Sequence, residues 1–160
     1  EVLHTPGHSS DHCCLLLGSD DPTDNPLIFS GDLIMGWSTS VIVPPDGSLN
    51  DYMASVERLM ELSPGTMLSA HGLVIDDPMA RMHELYEHRK MRTVQALEAL
   101  ASGPATIRNM VGVIYAEIDP KLHPAAEMSL LAHMEALVEE QRAEKAGDSD
   151  DRMTVLYRLS

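Results

Sequence analysis

Leu3-His4-Thr5-Pro6-Gly7-His8-Ser9-Ser10-Asp11-His12 leads an apolar pair into a Pro-Gly turn, with a histidine just past it. Pro6 sets one backbone angle, and Gly7 can take φ > 0. Such a turn at a strand end holds the next side chain at a defined angle, as a metal ligand requires. A lone histidine in a turn is more often structural or solvated than ligating. Two later stretches shift that balance: Ser30-Gly31-Asp32 and Ala70-His71-Gly72. Each sets one ligand-type residue beside a glycine, directly after an apolar, strand-like run.

The segments between these stretches read as an α/β order. Glu1 to His4 is a short strand, and Cys13 to Leu17 is a continuous apolar run expected to be buried on both faces. Gly18 to Pro26 is a loop, and Leu27-Ile28-Phe29 is the next strand. Leu33 to Pro45 reads as an irregular loop over a site edge. Ser48 and Asp51 resemble a capping box, after which Tyr52, Val56, Leu59 and Met60 share one helical face. Pro64-Gly65 ends that helix and Thr66-Met67-Leu68 is a strand. Strand, loop, strand, helix, strand is an α/β pattern.

The composition then shifts. Pro78 opens a helix to about Ala101, with an expected stripe of Met82, Leu85, Tyr86, Val94 and Leu97. It carries a basic cluster, Arg81, Arg89, Lys90 and Arg92, expected as a solvated face. A second helix is predicted over Thr106 to Ile118. A third carries Ala126, Leu130, Met134, Leu137 and Val138 inward, with His123 and His133 as surface or helix-face residues. Glu144 to Asp151 reads as a turn or tip, and Met153, Val155, Tyr157 and Leu159 alternate as a last strand. Three helices, a turn and a strand suggest a small winged-helix module.

The 160 residues carry a net charge of −14, which argues against broad phosphate-backbone binding. Residues 1–80 hold one basic residue, Arg58, so the helix from Pro78 is the one locally basic segment. Glu135, Glu139 and Glu140 on the third helix would repel phosphate, so DNA is not an expected partner. Cys13 and Cys14 are adjacent, a poor geometry for a mutual disulfide, and read as core residues of a reducing compartment. No apolar run approaches the roughly 18 residues of a membrane span, and no signal peptide is visible, so we expect no membrane partner. A cytoplasmic location is expected, or a mitochondrial one in a eukaryote. Glu1 already lies inside what reads as a strand, so further sequence is expected upstream.

His8, Asp32 and His71 stand 24 and 39 residues apart. Two imidazoles and a carboxylate suit zinc or iron, and a carboxylate can bridge two metals. Each follows a strand, and sites in open α/β sheets gather at strand ends. His4 is expected to pack or hydrogen-bond at its strand end rather than ligate.

Thr5 to Ser9, Ser30 to Asp32 and His71-Gly72 resemble the last three metal-binding motifs of the metallo-β-lactamase superfamily, closest to its glyoxalase II-like branch. The downstream helices, with Tyr86, His88, Arg89, Ile114-Tyr115 and Ala125-Ala126, resemble the winged-helix tail of the beta-lactamase-like protein 2 subgroup. The resemblance implies an α/β fold: the second half of a four-layer αββα sandwich over residues 1–84, then a small, mainly α winged-helix domain over 85–160. It implies that His8 binds a first metal, Asp32 bridges two, His71 binds the second, and His12 supports by hydrogen bonding. It implies zinc, two ions in the complete protein, with iron or manganese as alternatives. The implied activity is hydrolysis of a small-molecule thioester or ester by metal-activated water.

The chain departs from that family in lacking the H-x-H-x-D-H motif, which supplies the remaining ligands and a proton-handling aspartate. No catalytic residue beyond the metal ligands is therefore assigned. Half a sandwich is expected to expose an apolar face. Ala70 stands where the family commonly has glycine. Two alternatives stay open: a single-stranded RNA endonuclease of the same architecture, and a non-catalytic remnant or interaction module.

Overall fold

A computed structural model describes residues 1–18, 25–146 and 151–160. Most of the predicted loop at 18–26, and residues 147–150 of the predicted acidic tip, lie outside the described residues. The chain divides into two compact units, Glu1–His88 and Arg89–Ser160.

The first unit is built on strands β1 (Val2–His4), β2 (Cys13–Leu17), β3 (Leu27–Gly31) and β4 (Thr66–Ser69), in that order across one sheet. β1–β2 and β2–β3 are antiparallel, and β3–β4 is parallel. A parallel pair needs a crossover, and helix α1 (Leu49–Glu61) lies within it. Ser48 caps α1 by accepting from the Asp51 N–H at 3.2 Å. Leu49, Tyr52, Ser55, Val56 and Leu59 turn inward at helical spacing. On the sheet, Leu3, Cys14, Ile28 and Met67 share the buried face through the registers Leu3↔Cys14 and Ile28↔Met67.

The opposite face corrects the reading of Cys13 to Leu17 as buried on both sides. Cys13, Leu15 and Leu17 are exposed, and the register Val2↔Leu15↔Phe29 sets three exposed apolar side chains in one cross-strand row. The period-2 alternation of a half-covered sheet is present, but the residues on its open side are apolar. It also separates the two thiols. Cys13 is exposed, while burial pushes the Cys14 thiol up to about 11. Native protein at pH 8 is therefore expected to take up iodoacetamide at Cys13 alone of this pair, and at both in denaturant. Equal labelling of Cys14 in the native state, seen by peptide mass, would contradict the burial.

Helix α2 (Pro78–Ala101) runs across the unit boundary. Its buried positions include Met82, Leu85, Arg89, Ala96 and Leu100, whereas Val94 is half exposed. The stripe thus passes through Arg89 rather than Val94. The predicted basic face is not one solvated surface: Arg89 is buried and Arg81 hydrogen-bonds to loop carbonyls. The Arg92 guanidinium lies 4.4 Å from the Tyr115 ring centroid.

The second unit adds α3 (Ile107–Ile114), a 3₁₀ turn at Pro120–Leu122, α4 (His123–Glu139) and the antiparallel strands β5 (Ala143–Ala146) and β6 (Leu156–Leu159). Its core gathers Leu100, Ile107, Met110, Leu130, Met134 and Tyr157, among others. Thr106 caps α3 by accepting from the Asn109 N–H. That helix ends at Ile114 rather than Ile118, ahead of Asp119-Pro120, where the residue before proline leaves the α region. Glu144 to Ala146, expected as turn, belong to β5 because that strand pairs with β6, overriding its weak β propensity. The predicted last strand shortens to Leu156–Leu159, since the Asp151 carbonyl accepts from the Thr154 and Val155 N–H groups in a turn. His133 is buried, with Nδ1 2.9 Å from Thr93 Oγ1, rather than on the surface. Among the described residues, no helix is long and apolar enough to cross a membrane.

Candidate metal centre

β1, β3 and β4 run in one direction, since β2 is antiparallel to both β1 and β3 and β4 is parallel to β3. Their C-terminal ends therefore open on one edge of the sheet. His8 follows β1, Asp32 follows β3 and His71 follows β4, so the topology brings three distant positions together. His8 Nε2 stands 4.0 Å from Asp32 Oδ2, and His71 Nε2 stands 3.5 Å from Asp32 Oδ1. One carboxylate oxygen faces each imidazole.

Each side chain is set by its neighbours. The His8 Nδ1 lies 2.7 Å from the Val41 carbonyl, which can only accept, so Nδ1 carries the proton and Nε2 keeps its lone pair toward Asp32. The loop bearing His8 is stapled by Asp46, which accepts from the Ser10 N–H and hydroxyl. These bonds hold the Asp46 carboxyl below its usual range. His71 sits in a turn closed by the Met67↔Ile75 bridge and tied to β3 by Ala70 N–H donating to the Gly31 carbonyl at 2.9 Å.

His12 faces Asp32 through the backbone. Its Nε2 accepts the Asp32 N–H at 3.2 Å, and its Nδ1 lies 3.1 Å from the Thr5 carbonyl. Burial holds this imidazole below its ordinary pKa, against the raising effect of the Thr5 carbonyl. Both ring nitrogens are thereby engaged on the protein. Gly31 leaves room for the ring: at φ +55, a Cβ there would fall 2.5 Å from His12 Nε2. His4 is occupied elsewhere, with Nε2 2.9 Å from the Ser10 carbonyl.

Among the described residues, no three His, Cys, Asp or Glu side chains close into a group able to hold a metal as they stand. The donor chemistry of His8, Asp32 and His71 nevertheless fits a divalent ion. Two imidazole nitrogens and a carboxylate are borderline-soft to hard donors suited to zinc, iron or manganese. Ligands about 2.0–2.2 Å from one ion can lie up to roughly 4 Å apart, the range these pairs occupy. Asp32 Oδ1 is buried and accepts no hydrogen bond among the described residues, which a cation would remedy.

Two features beside the site carry no motif and escaped the sequence reading. The Trp37 indole lies against Gly72, and Arg81 donates to the carbonyls on either side of Trp37. The one local hint is a tryptophan following a glycine in an irregular loop.

Residues 106–152 match the family described as the beta-lactamase associated winged helix domain. The chain is 30% identical over 162 residues to a beta-lactamase-like protein 2 homolog of Drosophila melanogaster, an alignment covering 99% of the chain and 52% of that protein. It is 36% identical over 101 residues to an atrochrysone carboxyl ACP thioesterase of Passalora fulva, covering 63% of the chain and 28% of that protein. Among solved structures, a metallo-beta-lactamase family protein from Thermus thermophilus superposes with a TM-score of 0.78 at 24% identity, over 99% of the chain and 48% of its own. A beta-lactamase domain protein from Burkholderia ambifaria gives 0.82 at 22%, over 99% and 47%. At those identities the superpositions establish the fold. The chain spans about half the length of the Drosophila relative and of both superposed structures.

Proposed function

We propose that this chain, which belongs to the metallo-β-lactamase superfamily and carries the winged helix associated with it, supplies His8, Asp32 and His71 to the metal centre of a thioester or ester hydrolase. The observation that carries this reading is the approach of two imidazole nitrogens to the two oxygens of one carboxylate, one of them without a hydrogen bond among the described residues. Zinc is the assigned metal, two ions in the complete centre, with iron or manganese able to use the same donors. Such an ion supplies a lowered pKa to water and polarises a carbonyl.

The chain's own residues do the positioning. The Val41 carbonyl fixes the His8 tautomer, and His12 holds the Asp32 backbone so that its carboxylate faces both imidazoles. Three donors leave the centre incomplete, and catalysis by this reading needs the H-x-H-x-D-H element that residues 1–160 lack. A thioester is favoured over RNA for two reasons. A thioesterase is among the relatives. The arginines that would recommend RNA are engaged: Arg81 on carbonyls, Arg89 buried, Arg92 on Tyr115.

The test compares release of free thiol from short acyl thioesters with cleavage of a single-stranded RNA, using protein purified from its source. Thioester turnover that chelation abolishes and zinc restores is the expected result. RNA cleavage alone would move the assignment to the endonuclease, and neither activity in metal-loaded protein would leave a non-catalytic module.

A further inference from the structure

We propose that the groove beside His71, walled by Trp37, Leu73 and Val74, binds the aliphatic acyl chain of the substrate; this rests on the hydrolase reading above. The groove encloses about 310 Å³ and is lined by Gly36, Trp37, Gly72, Leu73, Val74 and Ile75. That volume is at the small end of the roughly 300–1,000 Å³ of ligand pockets. No lining residue has a charged side chain, so the surface selects for hydrocarbon rather than for phosphate or carboxylate.

Its position ties it to the metal centre. Gly72 directly follows His71, so the groove begins one residue, about 3.8 Å in Cα spacing, from a proposed ligand. Gly72 has φ +101, and a Cβ there would fall 2.6 Å from Trp37 Cδ1. Glycine alone lets the indole lie on the backbone at this point. The acyl carbon of a thioester held at the centre would therefore send its chain along the indole face.

The walls are exposed yet held. Trp37 is 70% and Leu73 is 86% exposed, large apolar side chains beside each other on one edge. Arg81 clamps the Trp37 loop on both sides, donating Nε–H to the Met35 carbonyl at 2.8 Å and an Nη2 hydrogen to the Ser38 carbonyl at 2.6 Å. The Met67↔Ile75 bridge anchors the end of the other wall at Ile75. Holding the Trp37 loop and Ile75 in this way lowers the ordering cost of taking up a ligand.

The experiment is calorimetric titration of the purified protein with uncharged, non-hydrolysable S-alkyl thioethers of N-acetylcysteamine, from S-ethyl to S-decyl. Affinity is expected to rise with chain length, by at most about fourfold per buried methylene, and to level off once the groove is full. Leu73 is exposed, so Leu73→Glu is expected to leave the fold intact and to weaken S-octyl binding at least 10-fold. Affinity independent of chain length, or unchanged in Leu73→Glu, would overturn the assignment. Measured on protein that also carries the H-x-H-x-D-H element, chain-length-dependent binding with no thioester turnover keeps the groove and sinks the hydrolase reading; turnover with flat binding does the reverse.

Discussion

In protein that also carries the H-x-H-x-D-H element, Asp32→Asn is expected to cut bound divalent metal and thioester turnover by more than 100-fold while leaving the fold in place. The two main-chain groups of Asp32 are held independently of its carboxylate: the N–H by His12 Nε2, and the carbonyl by the Ser40 hydroxyl. The side chain is about one-third exposed. Substitution to asparagine keeps its shape and removes the charge and one of two acceptor oxygens, each of which faces a different imidazole. Loss of an outer-shell partner alone typically costs 10–100-fold in metal affinity or activity, so loss of the shared ligand should exceed that. A 100-fold loss corresponds to about 2.7 kcal/mol of transition-state stabilisation. A structural carboxylate would behave in the opposite way. Asp32 Oδ1 accepts no hydrogen bond among the described residues, so metal-free Asp32→Asn is expected to be as stable as the parent or slightly more so. Elemental analysis and urea unfolding, made on the same two proteins, separate the cases. Parental metal content in the variant, or a large loss of stability without metal, would remove Asp32 from the centre.

The same residue shows what was legible in the sequence. Asp32, His8 and His71 stand out locally, each beside a glycine after an apolar run, and the runs themselves announce β1, β3 and β4. Their convergence follows from strand direction, which the antiparallel–antiparallel–parallel order supplies. Long-range partners were not legible. Nothing near Arg81 in the chain says that its guanidinium reaches the Met35 and Ser38 carbonyls. Arg89 and Val94 exchange their expected places because a helix stripe is decided by what packs on it, not by residue type alone. Ala143–Ala146 has a helix-like composition and becomes a strand only because Leu156–Leu159 is there to pair with it. The bare face of β2 is apolar in sequence in the same way a covered one would be, so periodicity could not tell the two apart.

Gly7→Ala is expected to destabilise the first unit by about 2–5 kcal/mol. Gly7 has φ +144, a conformation that costs an L-residue roughly 1–2 kcal/mol. Added to that is a collision: a Cβ would lie 2.4 Å from Tyr52 Cα and 2.7 Å from Tyr52 N, which are the backbone of α1 rather than the end of a flexible side chain. Overpacking of that kind adds about 1–3 kcal/mol. Relief requires the turn or the helix to move, and the two are bonded together. Ser48 N–H donates to the Gly7 carbonyl at 2.9 Å, and the Ser55 hydroxyl to the Pro6 carbonyl at 2.7 Å. Tyr52 itself is fully buried, so α1 cannot back away without opening the core. Set against a typical domain stability of about 5–15 kcal/mol, the loss is large. It also reaches the site, because His8 is the next residue, and a turn that swings outward carries Nε2 away from Asp32. Gly18→Ala serves as the reference, since nothing among the described residues lies within 4 Å of a Cβ there and a change within about 0.5 kcal/mol is expected. Urea unfolding of the two variants decides the matter: equal midpoints would mean that the turn accommodates a side chain and that glycine is not what seats His8.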